Sequence, residues 1–171
     1  MSFASVGVNT AGHFLGELLS RETKVAMVHV PYPGAAKAVA DLVANRVDFF
    51  FSSYGSVRAL VLDNKLRAIA VASPKRLDIL SQVPTMAEQG FPAATMISQF
   101  GLAAPANTPE AVIRKLNEAF AKAARDPEVI RKTAGDGIEL ATSTPAEFSA
   151  MIAREFERLD ALLKPAAAAK K

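Results

Sequence analysis

The first half of the chain alternates short apolar runs with helix-length segments. Ser2–Ser5 reads as a short strand that enters a Gly/Asn/Thr turn over residues 6–10, and a helix follows from about Ala11 to Ser20. Val25–Val30 is a nearly continuous apolar run of strand length. Pro31-Tyr32-Pro33-Gly34 punctuates it, and residues 35–44 return to helical character. Val47–Phe51 and Leu66–Ala72 read as further strands, separated by a helical stretch at Val57–Leu62 and a turn at residues 63–65. Strands that are apolar on both faces and separated by helices predict a parallel sheet covered by helical layers.

After Pro84 the pattern changes. Thr85 and Glu88 have the spacing of a capping box, which predicts a short helix ended by Gly90. Residues 95–104 read as extended. Three helix starts then place proline after a capping residue, at Thr108-Pro109, Asp126-Pro127 and Thr144-Pro145. Glu147 completes a capping box with Thr144. Val112, Ile113, Leu116, Ala119 and Phe120 fall on one helical face, as do Phe148, Met151, Ile152, Phe156, Leu159 and Leu163. Each buried Phe or Leu contributes roughly 1.5–3 kcal/mol, so such stripes need something to pack on. The candidate strands in this half, residues 95–104 and Ile138–Ala141, offer too little sheet. This half reads as the outer layer of a lobe whose centre is missing.

Composition narrows the picture. Half of the 171 residues are apolar and 22% are charged, which is a chain able to bury a core. Twenty Lys and Arg against seventeen acids leave a net charge of +3. Two of the positive charges are the terminal Lys170-Lys171, behind the alanine run 166–169, and no basic stripe marks a nucleic-acid partner. Cysteine is absent, which excludes disulfides, thiol catalysis and zinc–thiolate sites. The start, Met1-Ser2-Phe3-Ala4, has neither the basic nor the apolar region of a leader, so no export signal is expected in the chain as written.

Three turns could hold chemistry. Ser5, Gly7, Asn9 and Thr10 lie where a strand ends, a glycine-bearing loop turns and a helix begins. A helix N-terminus offers free N–H groups to an anion, although an ordinary capped turn has the same composition. Tyr32, Gly34 and Ala35 repeat that arrangement, with a rigid turn as the alternative, and Ser52 and Ser53 follow the next strand. Ligands of open α/β sheets bind outside the carboxyl ends of strands, and neutral donors there suit reversible binding of a carboxylate. His13 is the residue that acid–base work would use. Its only titratable neighbour in sequence is Glu17, and His29 reads as a core histidine. A small α/β enzyme acting on a carboxylate through His13 is the rival reading. The chain shows no catalytic set, no metal-ligand spacing and no phosphate loop, and no cofactor is expected.

Longer stretches carry a resemblance. Ser5-Val6-Gly7-Val8-Asn9-Thr10 with His13-Phe14-Leu15-Gly16-Glu17, and Met27-Val28-His29-Val30-Pro31-Tyr32-Pro33-Gly34, resemble segments of the receptors of tripartite tricarboxylate transporters, the TctC or Bug family. So do Val47-Asp48, residues 65–71, Val83-Pro84-Thr85-Met86-Ala87-Glu88-Gln89-Gly90, and Phe100-Gly101-Leu102 followed by Ala104-Pro105. The similarity runs in order to about Leu163. Departures fall at Val8 and Asn9, at Pro33-Gly34-Ala35, and at Ser52.

The resemblance implies an α/β fold of the periplasmic-binding-protein kind, a type II-like Venus flytrap, with one nearly complete lobe and the C-terminal part of the other. Residues 1–98 would be the second, ligand-cleft lobe without its first elements. Residues 99–171 would be a crossover strand and the C-terminal helical layer of the first lobe. It implies a receptor, not an enzyme. The ligand would be a small carboxylate held by Ser5, Gly7, Asn9, Thr10, Tyr32, Gly34, Ala35, Ser52 and Ser53, with Phe100 closing one wall, and the partners would be membrane permease subunits. The location implied is periplasmic, although the leaderless chain as written would stay cytoplasmic. In the family a first lobe precedes the position of Ser2, so the chain reads as N-terminally truncated. It is expected to bind weakly or not at all, and to self-associate through exposed edges and apolar helix faces.

Overall fold

The computed structural model describes residues 1–168, with side chains as far as Asp160. Leu163, the last member of the expected stripe, lies outside the described side chains, and Ala169, Lys170 and Lys171 lie outside the described residues altogether. The chain divides into two compact units, residues 1–101 with 133–138, and residues 102–132 with the chain from Glu139 onward.

In the first unit, β1 (Ser2–Ser5), β2 (Val28–Pro31) and β3 (Phe49–Phe50) form a parallel sheet in the order β2-β1-β3. The helices α1 (Ala11–Thr23), α2 (Ala35–Val43) and α3 (Tyr54–Leu62) each follow one strand. Phe3 is paired with His29 on one side and Phe49 on the other, so the three rings stack across one face, at centroid distances of 5.0 and 5.7 Å. Helix α1 covers this face, where Leu15 packs with Met86 and Ala94. The opposite face presents Ala4 to Ala38 of α2 and to Val47, with Val30, Leu42 and Phe50 around them. Phe3 and Ala4 are wholly buried, which makes the central strand the hub of both layers.

Several boundaries differ from the sequence pattern. The second and third strands are shorter than the apolar runs around them. Helix α1 continues to Thr23 and ends on the left-handed Lys24, whereas α3 begins at Tyr54, three residues before its expected start. Residues 66–72 form no strand; a single bridge pairs Val71 with Thr85. Val71 N–H donates to the Pro84 carbonyl and Met86 N–H to the Val71 carbonyl, but the next rung would need an N–H from Pro84, which has none. The expected helix after Thr85 is one turn only. Its capping box nonetheless forms, with Thr85 N–H on Glu88 Oε2 at 2.7 Å and Glu88 N–H on Thr85 Oγ1 at 3.0 Å.

The second unit carries α4 (Glu110–Ala123), most of α5 (Pro127–Gly135) and α6 (Pro145–Ala168). Asp126 Oδ1 accepts the N–H groups of Glu128 and Val129, and Thr144 and Glu147 exchange backbone N–H bonds at 2.8 and 3.2 Å. Pro109 stands just outside its helix, and Thr108 does not cap it. Residues 138–141 are not a strand, and among the described residues the second unit contains no sheet. The apolar stripes of α4 and α6 stay largely in solvent: Phe120 is 52% exposed and Phe156 73%.

Candidate functional site

Because all three strands are parallel, their carboxyl ends share one edge of the sheet. The chain leaves that edge three times, through residues 6–10, 32–34 and 51–53. The order β2-β1-β3 reverses direction at the central strand, so β1 and β3 flank a topological switch point. In open α/β sheets such a switch point is where ligands bind.

The turn after β1 is built around Gly7. Its φ of 138° lies in a region that a side chain disfavours, and Asn9 follows at φ 61°, a left-handed conformation that Asn tolerates better than most residues. The Gly7 carbonyl accepts two hydroxyls, Ser5 Oγ at 2.8 Å and Thr10 Oγ1 at 2.7 Å. Gly7 N–H returns to Ser5 Oγ at 3.1 Å. Ser5 is wholly buried, so it braces the loop from behind, while Val8 and Asn9 face solvent.

Helix α1 begins hard against the end of β3. A β-carbon on Gly12 would sit 2.9 Å from the Phe51 carbonyl oxygen and 3.5 Å from Ser5 Cβ. The missing side chain therefore lets the first and third turns close on each other. Gly12 is a further residue of this site, and its signal in the sequence is a glycine inside the first turn of a helix.

The helices entering from this edge have bare N-termini. Neither α1, α2 nor α3 has a side-chain cap or an acidic residue in its first turn. In contrast, Glu128 and Glu147 occupy the first turns of α5 and α6, whose leading amides are already capped. A shallow depression of about 240 Å³ beside Asn117, Ser143 and Thr144 lies at the capped α6 start, where Thr144 and Glu147 hold each other. Uncapped amides and an uncompensated helix dipole are what an external anion needs.

Of the remaining expected residues, Gly34 is the residue before α2, at φ 148°, and Ala35 opens that helix. The Tyr32 hydroxyl donates to Asp41 Oδ2 at 2.8 Å, and Arg46 holds the other Asp41 oxygen at 2.8 Å. The bond to Asp41 raises the Tyr32 pKa, and the same bond, with that from Arg46, lowers Asp41. Ser52 and Ser53 are exposed, and Ser53 Oγ pairs with Ser56 Oγ at 2.8 Å. The buried Tyr54 anchors the start of α3 behind them. Phe100 is 82% exposed.

The histidines depart from their reading in sequence. His13 has a second titratable neighbour after all, since its ring stacks on His29 at 4.1 Å. His29 is only half-buried, and its Nε2 meets Ser5 Oγ at 2.6 Å. Burial and the neighbouring His13 push its pKa down, against an opposing pull from Glu17. His13 Nδ1 accepts Asn9 N–H at 3.1 Å, and its Nε2 lies 3.9 Å from Glu17 Oε1. Although Ser5 and His29 resemble a nucleophile and its base, the serine is inaccessible and its proton goes to the Gly7 carbonyl. The cluster shapes the loop. Among the described residues no three His, Asp or Glu side chains form a metal cage.

A parallel sheet whose strand order reverses at its central strand defines this first unit as a lobe of open α/β type. The family model described as "Tripartite tricarboxylate transporter family receptor" matches residues 1–167, and the chain belongs to that family. It is 37% identical over 164 residues to the UPF0065 protein of the tcbD-tcbE intergenic region in Pseudomonas sp. strain P51, covering 95% of this chain and 49% of that protein. A solved periplasmic transporter superposes with a TM-score of 0.90 at 36% identity, over 95% of this chain and 54% of its own. R. palustris Rpa4515, solved with adipate, superposes at 0.92 with 28% identity, over 98% of this chain and 56% of its own. The chain spans about half the length of these relatives. Its family is one of transport receptors, not enzymes.

Proposed function

We propose that this chain forms the ligand-cleft lobe of an extracytoplasmic receptor for a small carboxylate, working in the periplasm and handing its solute to the permease subunits of a tripartite transporter. The single observation that carries this is the row of bare helix N-termini at one sheet edge, above turns held open by Gly7, Asn9 and Gly34. Each charge-assisted hydrogen bond there contributes about 1.5–3 kcal/mol and each exposed helix dipole about 0.3–1 kcal/mol. The donors are neutral, so the solute is held without reacting. A relative that binds adipate supports the choice of a dicarboxylate.

In this reading residues 1–98 supply one wall of the cleft and residues 99–171 the crossover and outer helices of the other lobe. Gly7, Asn9, Thr10, Gly34, Ala35, Ser52 and Ser53 face the carboxylate, Ser5 and Tyr32 brace their turns, and Phe100 closes a side. One wall alone binds weakly. The uncovered faces of α4 and α6 then draw copies of the chain together.

Amide NMR of the 171-residue chain titrated with adipate tests the reading. Shifts confined to residues 7–12, 34–37 and 52–56, saturating only at about millimolar ligand, are expected; that range corresponds to roughly 4 kcal/mol. Shifts elsewhere, or an equal response to the uncharged diamide of adipate, would reject it.

A further inference from the structure

The bond from Asn9 N–H to His13 Nδ1 ties the shape of the ligand turn to one imidazole. A ring nitrogen accepts a hydrogen bond only while it carries no proton. With Nδ1 accepting at 3.1 Å, the neutral His13 ring must hold its proton on Nε2, towards Glu17. A second proton taken from solvent goes to Nδ1. It then faces the Asn9 N–H donor to donor, and the amide loses its partner.

We propose that His13 is a positioning residue of the Gly7–Thr10 turn, and that its protonation releases the Asn9 amide and adds a positive charge beside it, so that the turn takes up a proton together with its anionic ligand. This rests on the receptor reading of the same turn. The released N–H and the imidazolium both favour a carboxylate, and by linkage the carboxylate favours the proton.

Titratable and uncharged groups face this ring from each element packed against it. From α1, Glu17 Oε1 lies 3.9 Å from His13 Nε2. From β2, His29 stacks on His13 at 4.1 Å. β1 and β3 contribute the uncharged Phe3, Ser5 and Phe49 to this cluster. Asp48 is occupied at the start of β1 by the N–H and hydroxyl of Ser2. Burial disfavours the charged form of His29, whose Nε2 lies 2.6 Å from Ser5 Oγ. Asn9 is suited to move, being exposed and in a left-handed conformation at φ 61°.

The test is a pH titration of the ligand-free chain by NMR, following the Asn9 amide and the His13 ring together. Their transitions should share one midpoint. His13→Asn places an amide oxygen near the position of Nδ1 but cannot titrate, so its Asn9 amide should keep the neutral-pH shift at every pH. His13→Leu should show the low-pH shift throughout. An Asn9 amide indifferent to the His13 transition, or a His13→Asn variant that follows the wild-type profile, overturns the proposal. Adipate titrations across the same range form a second arm. The wild-type affinity, taken relative to His13→Asn to cancel the ligand's own ionisation, should rise on acidification by up to about tenfold per pH unit, the slope of one linked proton. Failure of the adipate arm alone counts against the receptor reading, whereas failure of the ligand-free arm counts against His13 whatever adipate does.

Discussion

Gly16 lies flat against the ring of Phe3: a β-carbon at residue 16 would fall inside the van der Waals envelope of Phe3 Cε2, Cδ2 and Cζ. Phe3 is wholly buried and stacked between His29 and Phe49, so it has nowhere to go. Gly16→Ala gains about 0.5–1 kcal/mol of helix propensity but overpacks this contact, which costs about 1–3 kcal/mol. A net loss of about 1–2 kcal/mol in a denaturant melt is expected. An unchanged or raised midpoint would mean that α1 can lift off the sheet freely.

The left-handed Asn9 gives a second test. Asn9→Gly should leave stability within about 0.5 kcal/mol, since glycine adopts φ 61° without strain. Asn9→Val should cost about 1–2 kcal/mol or more, because a β-branched side chain clashes with the backbone there. Paired chemical denaturation of the two variants separates the backbone effect from loss of the side chain.

Acid stability follows from His29. Its folded pKa lies below the unfolded value of 6.5, so between the two the unfolded chain binds a proton that the native chain refuses. The contribution is complete above pH 6.5 and declines as the pH falls towards the folded value. Asp41 and Glu88, both lowered by hydrogen bonds, withdraw their stability only as pH drops through values below the usual carboxylate range. Melts across pH should therefore show an early decline that His29→Gln abolishes and a later one that it leaves.

The exposed stripe on α4 makes a prediction about association. Leu116 and Phe120 lie one turn apart on an apolar face that is about half open to solvent. Leu116→Ser with Phe120→Ser should shift sedimentation profiles towards monomer without changing the helix content of the first unit. A chain that is monomeric from the outset, at concentrations suited to NMR, would show that these faces do not associate.

Local features were readable along the chain. The caps at Asp126 and Thr144, the strand–turn–helix sequence from Ser2 to Leu62, and the run of segments resembling transport receptors all depend on neighbours a few residues apart. Long-range pairing is not legible in this way. Residues 66–72 have the composition of a strand, but strand formation needs a partner that can donate at every rung, and Pro84 cannot. His13 and His29 looked unrelated because they are held together only by the register of β1 against β2 and by the way α1 lies over it. Gly12 looked like a helix blemish until the end of β3 was seen beside it.

By itself the sequence determined the family, the parallel α/β class and the chemistry on offer at three turns, because those reside in motifs and in hydrophobic periodicity. Only the tertiary structure decided which of the groups face one another: Ser5 with His29 across 24 residues, the rings of His13 and His29, and the carbonyl of Phe51 with Gly12. Strand order and helix packing set those meetings, and neither is written in any short stretch of the chain.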